Sequence, residues 1–112
     1  ADLIAACSDN IQLGNDPAAA VSDPRRATPD TWPSLGQQDQ KPEREAAFSG
    51  FCVDEALMKK AANDAIFMHC LPAYREYEVS ESVLEGPQSI VWDEAENRLH
   101  AQKALLELLL LA

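Results

Sequence analysis

Apolar and polar positions change their spacing several times along the chain, and each change marks a predicted element. Leu3, Ile4 and Cys7 stand at helical spacing within residues 2–9, a short helix or the end of one. Ile11-Gln12-Leu13 reads as a brief strand closed by Gly14-Asn15. Asp16-Pro17 starts a helix, with Asp at the N-cap and Pro in the first turn before Ala18 to Val21. Residues 22–29 hold two prolines, two arginines and no apolar run, and read as loop. The loop region spans 23–45 without a clear period and turns helical near Glu43 to Phe48.

Phe51-Cys52-Val53 is a short strand candidate, and Asp54 caps a helix through Ala62 that buries Leu57 and Met58. Ala65 to Cys70 is the strongest strand. Its apolar residues do not alternate with polar ones, as expected of a strand buried on both faces of a parallel sheet. Leu71-Pro72 ends it, a short helix follows around Ser80 to Glu85, and Gly86-Pro87 turns the chain. Ser89-Ile90-Val91-Trp92 is a second buried strand, and the last helix runs from about Ala95 to Leu111. Strands alternating with helices predict an α/β fold, three-layer αβα with a mainly parallel sheet. Ligands of such sheets bind beyond the carboxyl ends of the strands, where Cys70-Leu71-Pro72 and Asp93 to Arg98 lie.

Charge narrows the partners. Nineteen acids face nine bases for a formal charge of -10, so a clustered positive face for nucleic acid or an anionic membrane is not expected. The 112 residues suffice for one domain. The longest apolar run, Leu108 to Ala112, is too short to span a bilayer, and no signal peptide opens the chain. Cys7, Cys52 and Cys70 form no Cys-x-x-Cys pair, and with only His69 and His100 beside them no metal is expected. These features lead to an expectation of a cytoplasmic protein. The four glycines, 14, 36, 50 and 86, are too scattered for a dinucleotide fingerprint or a P-loop, so no cofactor is expected. Residue 1 is Ala, which fits a processed, trimmed or partial chain.

Three segments remain that carry chemistry: His69-Cys70-Leu71-Pro72, Glu96-Asn97-Arg98-Leu99-His100, and Asp30-Thr31-Trp32 with Ser34-Leu35-Gly36. Each alone has a plain reading. Cys70 can be a small buried hydrophobe, His69 a partner of the backbone, and Asp30 a turn residue. Arg98 early in a helix is disfavoured by the helix dipole, which favours a ligand or ion-pair role.

Together they are more specific. His69-Cys70-Leu71-Pro72-Ala73-x-Arg75, Pro87-Gln88-Ser89 and Asp93 through Ala104 resemble the C-terminal part of the ornithine carbamoyltransferase family. Asp30-Thr31-Trp32-x-Ser34-Leu35-Gly36-Gln37 is similar to that family's ornithine loop, and Asn15-Asp16-Pro17-x-x-Ala20-Val21 to the stretch before it. The resemblance implies a partial Rossmann-like ornithine-binding domain over 1–112, with L-ornithine and carbamoyl phosphate as substrates. It further implies that Asp30 and Cys70 orient the reacting amine, and that Ser34 and the backbone at Leu35 hold the amino-acid end of ornithine. His69, Cys70 and Leu71 would form the wall at the strand end, with Arg98 aimed at the carbamoyl oxygen.

The chain also departs from the family pattern. The carbamoyl-phosphate domain and its Ser-x-Arg-Thr loop have no counterpart in these residues, so the chain alone is expected to be inactive. Asp23-Pro24-Arg25-Arg26-Ala27-Thr28-Pro29 stands where the family has an apolar strand, a poor strand sequence that unsettles the placement of Asp30. Leu35 replaces Met, and Tyr74-Arg75-Glu76 replaces His-Arg-Gly. The final helix carries leucines all round, which predicts a homo-oligomer or association with the absent domain. A carbamoyltransferase for another amine such as putrescine, or a non-catalytic remnant acting by association, are the alternatives.

Overall fold

A computed structural model describes residues 11–32 and 38–111. Asp16 Oδ1 accepts from Ala18 N, and with Pro17 in the first turn it starts α1, Pro17–Ala20. The chain then enters β1, Arg26–Ala27, inside the segment expected to be loop. Pro24 and Pro29 do not prevent this, because both lie outside the paired residues: Arg25 O accepts from Ile66 N and Ala27 O from Met68 N, both at 3.0 Å. Among the described residues β1 is an edge strand, where proline is tolerated. Residues 11–13, expected to be a strand, lie outside any assigned strand, and residues 2–9 lie outside the described residues.

A 3-10 turn at Gln38–Gln40 leads into α2, Lys41–Phe48, which begins two residues before its expected start at Glu43. Of the Phe51 to Val53 strand only Val53 pairs, in parallel with Val79. Asp54 Oδ1 accepts from Leu57 N at 2.7 Å and caps α3, Glu55–Met58. This helix stops short of Ala62 because Ala62 N donates to Pro24 O, which docks the chain on β1 instead.

β2, Ile66–Phe67, runs parallel to β1 and also bridges Ser89 in parallel. Its burial alternates: Ala65, Phe67 and His69 are buried whereas Ile66 and Met68 are only half-buried, so one face is covered among the described residues rather than both. Ser80 caps α4, Glu81–Leu84. The expected strand Ser89 to Trp92 is reduced to Ser89, and α5 spans Val91–Leu111. The ladder ends there because Ile90 O is taken by Glu94 N, a helical bond. Asp93 and Glu94 in the first turn complement the positive end of the helix dipole.

The core joins Ala27, Val53, Met58, Phe67, Val79, Val83, Leu84 and Val91. It packs α3 and α4 with the start of α5 against the strands. The rest of α5 is exposed, with Leu99, Leu105, Leu106 and Leu108 to Leu111 each more than half accessible.

Candidate functional site

Two neighbouring parallel strands release their chains at the same edge. Three residues beyond β1 stands Asp30, and three beyond β2 stands Cys70, so matched register brings the two together. The Cys70 thiol donates to Asp30 Oδ1 across 3.4 Å. Partial burial, then the bond to Asp30 and the charge of that carboxylate, push the Cys70 thiol upward, with Glu94 adding to the effect. Cys70 is thus held protonated as a neutral donor rather than primed as a thiolate nucleophile.

Aromatic packing holds Asp30 in place. Two residues on, Trp32 stacks on Phe48 of α2 at 6.1 Å and meets Tyr77 edge-on at 5.9 Å. Arg44 Nη1 donates to Trp32 O at 3.2 Å, and Lys41 Nζ sits 5.5 Å from the Tyr77 ring centre. These contacts compensate for the poor strand sequence before Asp30.

Beyond Cys70 the backbone is shaped by His69. Leu71 N donates to His69 Nδ1 at 2.9 Å, which puts the proton of a neutral ring on Nε2. Nε2 faces Glu78 Oε1 at 3.4 Å, and both side chains are fully buried. That contact is too poorly directed for a hydrogen bond, so His69 Nε2 and Glu78 Oε2 lack partners among the described residues. Glu78 Oε1 accepts from Tyr74 N at 2.6 Å. Leu71 has a φ of 50°, a left-handed conformation uncommon for leucine, and a cis peptide bond joins it to Pro72.

His69, Cys70, Leu71 and Pro72 form one wall of an open cleft of about 850 Å³. Glu94, Asn97 and Arg98 of α5 form the other. Arg98 lies two turns inside α5 because the helix starts at Val91, so the dipole argument for it lapses. Its position on the cleft is what distinguishes it. Ser34 and Leu35 lie outside the described residues.

Two residues of this constellation escaped the sequence reading. Glu78 sits in a polar loop, and only its pairing strand reveals it: Val53 N donates to Glu78 O and draws it beneath His69. Glu94 falls inside a quoted motif one helical turn before Arg98, yet nothing in the spacing indicates that its carboxylate accepts from His69 N at 3.0 Å.

Among the described residues no group of three or more His, Cys, Asp or Glu could hold a metal ion. No described helix is long and apolar enough to cross a membrane.

Parallel strands packed by helices, with an open cleft at the strand ends, place the chain in the α/β class. Residues 2–109 match the family model for the aspartate/ornithine carbamoyltransferase Asp/Orn binding domain. The chain belongs to this family. It is 57% identical over 111 residues to the ornithine carbamoyltransferase of Halorhodospira halophila, covering 99% of this chain and 37% of that protein. It thus spans little more than a third of that relative's length. The solved ornithine carbamoyltransferase from Pyrococcus furiosus superposes with a TM-score of 0.75 at 50% identity, over 82% of this chain and 29% of that one. An N-acetyl-L-ornithine transcarbamylase, solved as a mutant with carbamyl phosphate and N-succinyl-L-norvaline, gives 0.69 at 34% identity over 83% and 29%.

Proposed function

We propose that this chain is the ornithine-side portion of an ornithine carbamoyltransferase. The enzyme would transfer the carbamoyl group of carbamoyl phosphate to the side-chain amine of L-ornithine, giving citrulline and phosphate. The observation that carries this reading is the Asp30–Cys70 contact at two adjacent strand ends, beside a cleft lined by Leu71 and Arg98.

The chemistry sets what these groups must do. An alkylamine attacks only when neutral, and with a lysine-like pKa of about 10.4 its deprotonation at pH 7 costs roughly 4.6 kcal/mol. In this reading Asp30 and the Cys70 thiol orient the amine and receive its donors, so that its lone pair faces the carbamoyl carbon. A C–N bond forms, the C–O bond to phosphate breaks, and the proton lost from the amine nitrogen leaves on the phosphate as hydrogen phosphate. The Arg98 guanidinium stabilises the charge that grows on the carbamoyl oxygen. The Leu71 carbonyl accepts from the carbamoyl NH2, while Ser34 and the backbone at Leu35 hold the α-amino and carboxylate groups. The transfer is redox-neutral and requires no redox cofactor.

Further parts of the reading concern the assembly. The sheet is the middle of a three-layer αβα domain in a cytoplasmic homo-oligomer. The exposed leucines of α5 support association with a carbamoyl-phosphate domain or with further copies. In this reading the 112 residues alone are expected to be inactive.

Steady-state citrulline formation by the full gene product tests this. Ornithine is expected to be the preferred amine, and Asp30→Asn and Arg98→Ala to lower kcat. Preference for putrescine or N-acetylornithine would overturn the substrate, and carbamoyl transfer to none of them would leave the association-only remnant.

A further inference from the structure

The parallel ladder around β2 stops one bond early, and a side chain completes it. Phe67 N donates to Gln88 O at 2.8 Å and Ile90 N to Phe67 O at 3.0 Å. In a parallel ladder the next donor, His69 N, would be met by Ile90 O. That carbonyl is already occupied by Glu94 N at 2.9 Å, because the chain has turned into α5. His69 N instead donates to Glu94 Oε2 at 3.0 Å. Glu94 therefore ends the strand with its backbone and replaces the lost acceptor with its carboxylate.

This one residue ties the two walls of the cleft together. On one side it holds the backbone at the start of His69-Cys70-Leu71. On the other it belongs to the same helical face as Asn97 and Arg98, three and four positions on, and all three line the cleft. We infer that Glu94 is a positioning residue that sets the distance between the Cys70–Leu71 wall and the Arg98 guanidinium, so that both address one substrate carbonyl group. The inference rests on the carbamoyl-transfer reading for its kinetic consequence, whereas the clamp itself rests on geometry alone.

Two substitutions separate reach from charge. Glu94→Gln keeps an oxygen within reach of His69 N and removes the charge. Glu94→Asp keeps the charge and draws it back by one methylene, out of reach. In the purified protein, hydrogen exchange of the peptide containing His69 should accelerate about 10-fold or more in Glu94→Asp and stay near wild type in Glu94→Gln. Exchange elsewhere in the sheet should not change in either. Alkylation of Cys70, read by peptide mass at one pH near 8, should be faster in Glu94→Gln, since a neighbouring negative charge has been removed.

In the full-length enzyme, Glu94→Asp should lower kcat by about 10- to 100-fold with KM for ornithine little changed, as expected when reacting groups are displaced by a fraction of an ångström to an ångström. Glu94→Gln should restore most of that loss. Unchanged exchange at His69 in Glu94→Asp would overturn the clamp. Faster exchange with an unaltered kcat would overturn the positioning role and leave a structural bond. If the wild-type enzyme transfers no carbamoyl group, the proposed function fails, and the exchange result still decides the clamp.

Discussion

Replacing Glu78 with alanine removes the acceptor facing two donors at once. The side chain is fully buried, with Oε1 accepting from Tyr74 N at 2.6 Å and lying 3.4 Å from His69 Nε2. Only Tyr74 N loses a hydrogen bond, since His69 Nε2 has none to lose, and leaving a buried donor unpaired costs about 1–3 kcal/mol. Relief of the buried carboxylate's desolvation pulls towards the lower end and the emptied space towards the upper. A loss of about 1–3 kcal/mol is therefore expected. Glu78→Gln should cost about half as much, since an amide oxygen still accepts from Tyr74 N while its NH2 fills the place of the partnerless Oε2. Urea denaturation followed by tryptophan fluorescence measures both, because Trp32 packs against Tyr77 in the loop that Glu78 anchors. A Glu78→Ala midpoint matching wild type within about 0.5 kcal/mol would refute the reasoning, as would a glutamine variant weaker than the alanine one.

Other expectations follow from the same contacts. Asp30→Asn removes the carboxylate that raises the Cys70 thiol, so its pKa should fall and alkylation at pH 8 should quicken; an equal or slower rate would contradict the contact. Glu76 adopts a φ of 66° where the family pattern has Gly, and its Oε1 accepts from Glu81 N at the start of α4. Glu76→Ala keeps the strain and loses the bond, a cost of about 1 kcal/mol, whereas Glu76→Gly relieves about 1 kcal/mol of strain and should sit near wild type in urea. Equal stabilities for the two would remove this account. At Gly86 an added Cβ would lie 2.5 Å from Ser82 O, so Gly86→Ala should destabilise by about 1–3 kcal/mol, and an unchanged melting temperature would show that α4 gives way freely.

Local signals in the sequence were enough for the α/β class, the caps at Asp16 and Asp54, and the strand-end location of Cys70. Each depends on residues near in the chain: a side-chain oxygen two or three positions from the amide it caps, or a run of apolar residues followed by Pro. The same motifs identified the family, which the comparison confirmed. Element ends were legible only where a local cap marks them. The loss of Ser89 to Trp92 as a strand depended on Glu94 N competing for Ile90 O, and the shortening of α3 on Pro24 O reaching Ala62 N. The strand at Arg26–Ala27 runs against its own propensity, with two prolines and two arginines nearby, and forms because β2 supplies donors to its carbonyls. Tertiary structure alone decided the Asp30–Cys70 contact, 40 residues apart, and the bond from His69 N to Glu94, 25 apart. Those contacts depend on the register of parallel strands, which is set by packing between distant segments and leaves no periodic trace in the order of residues.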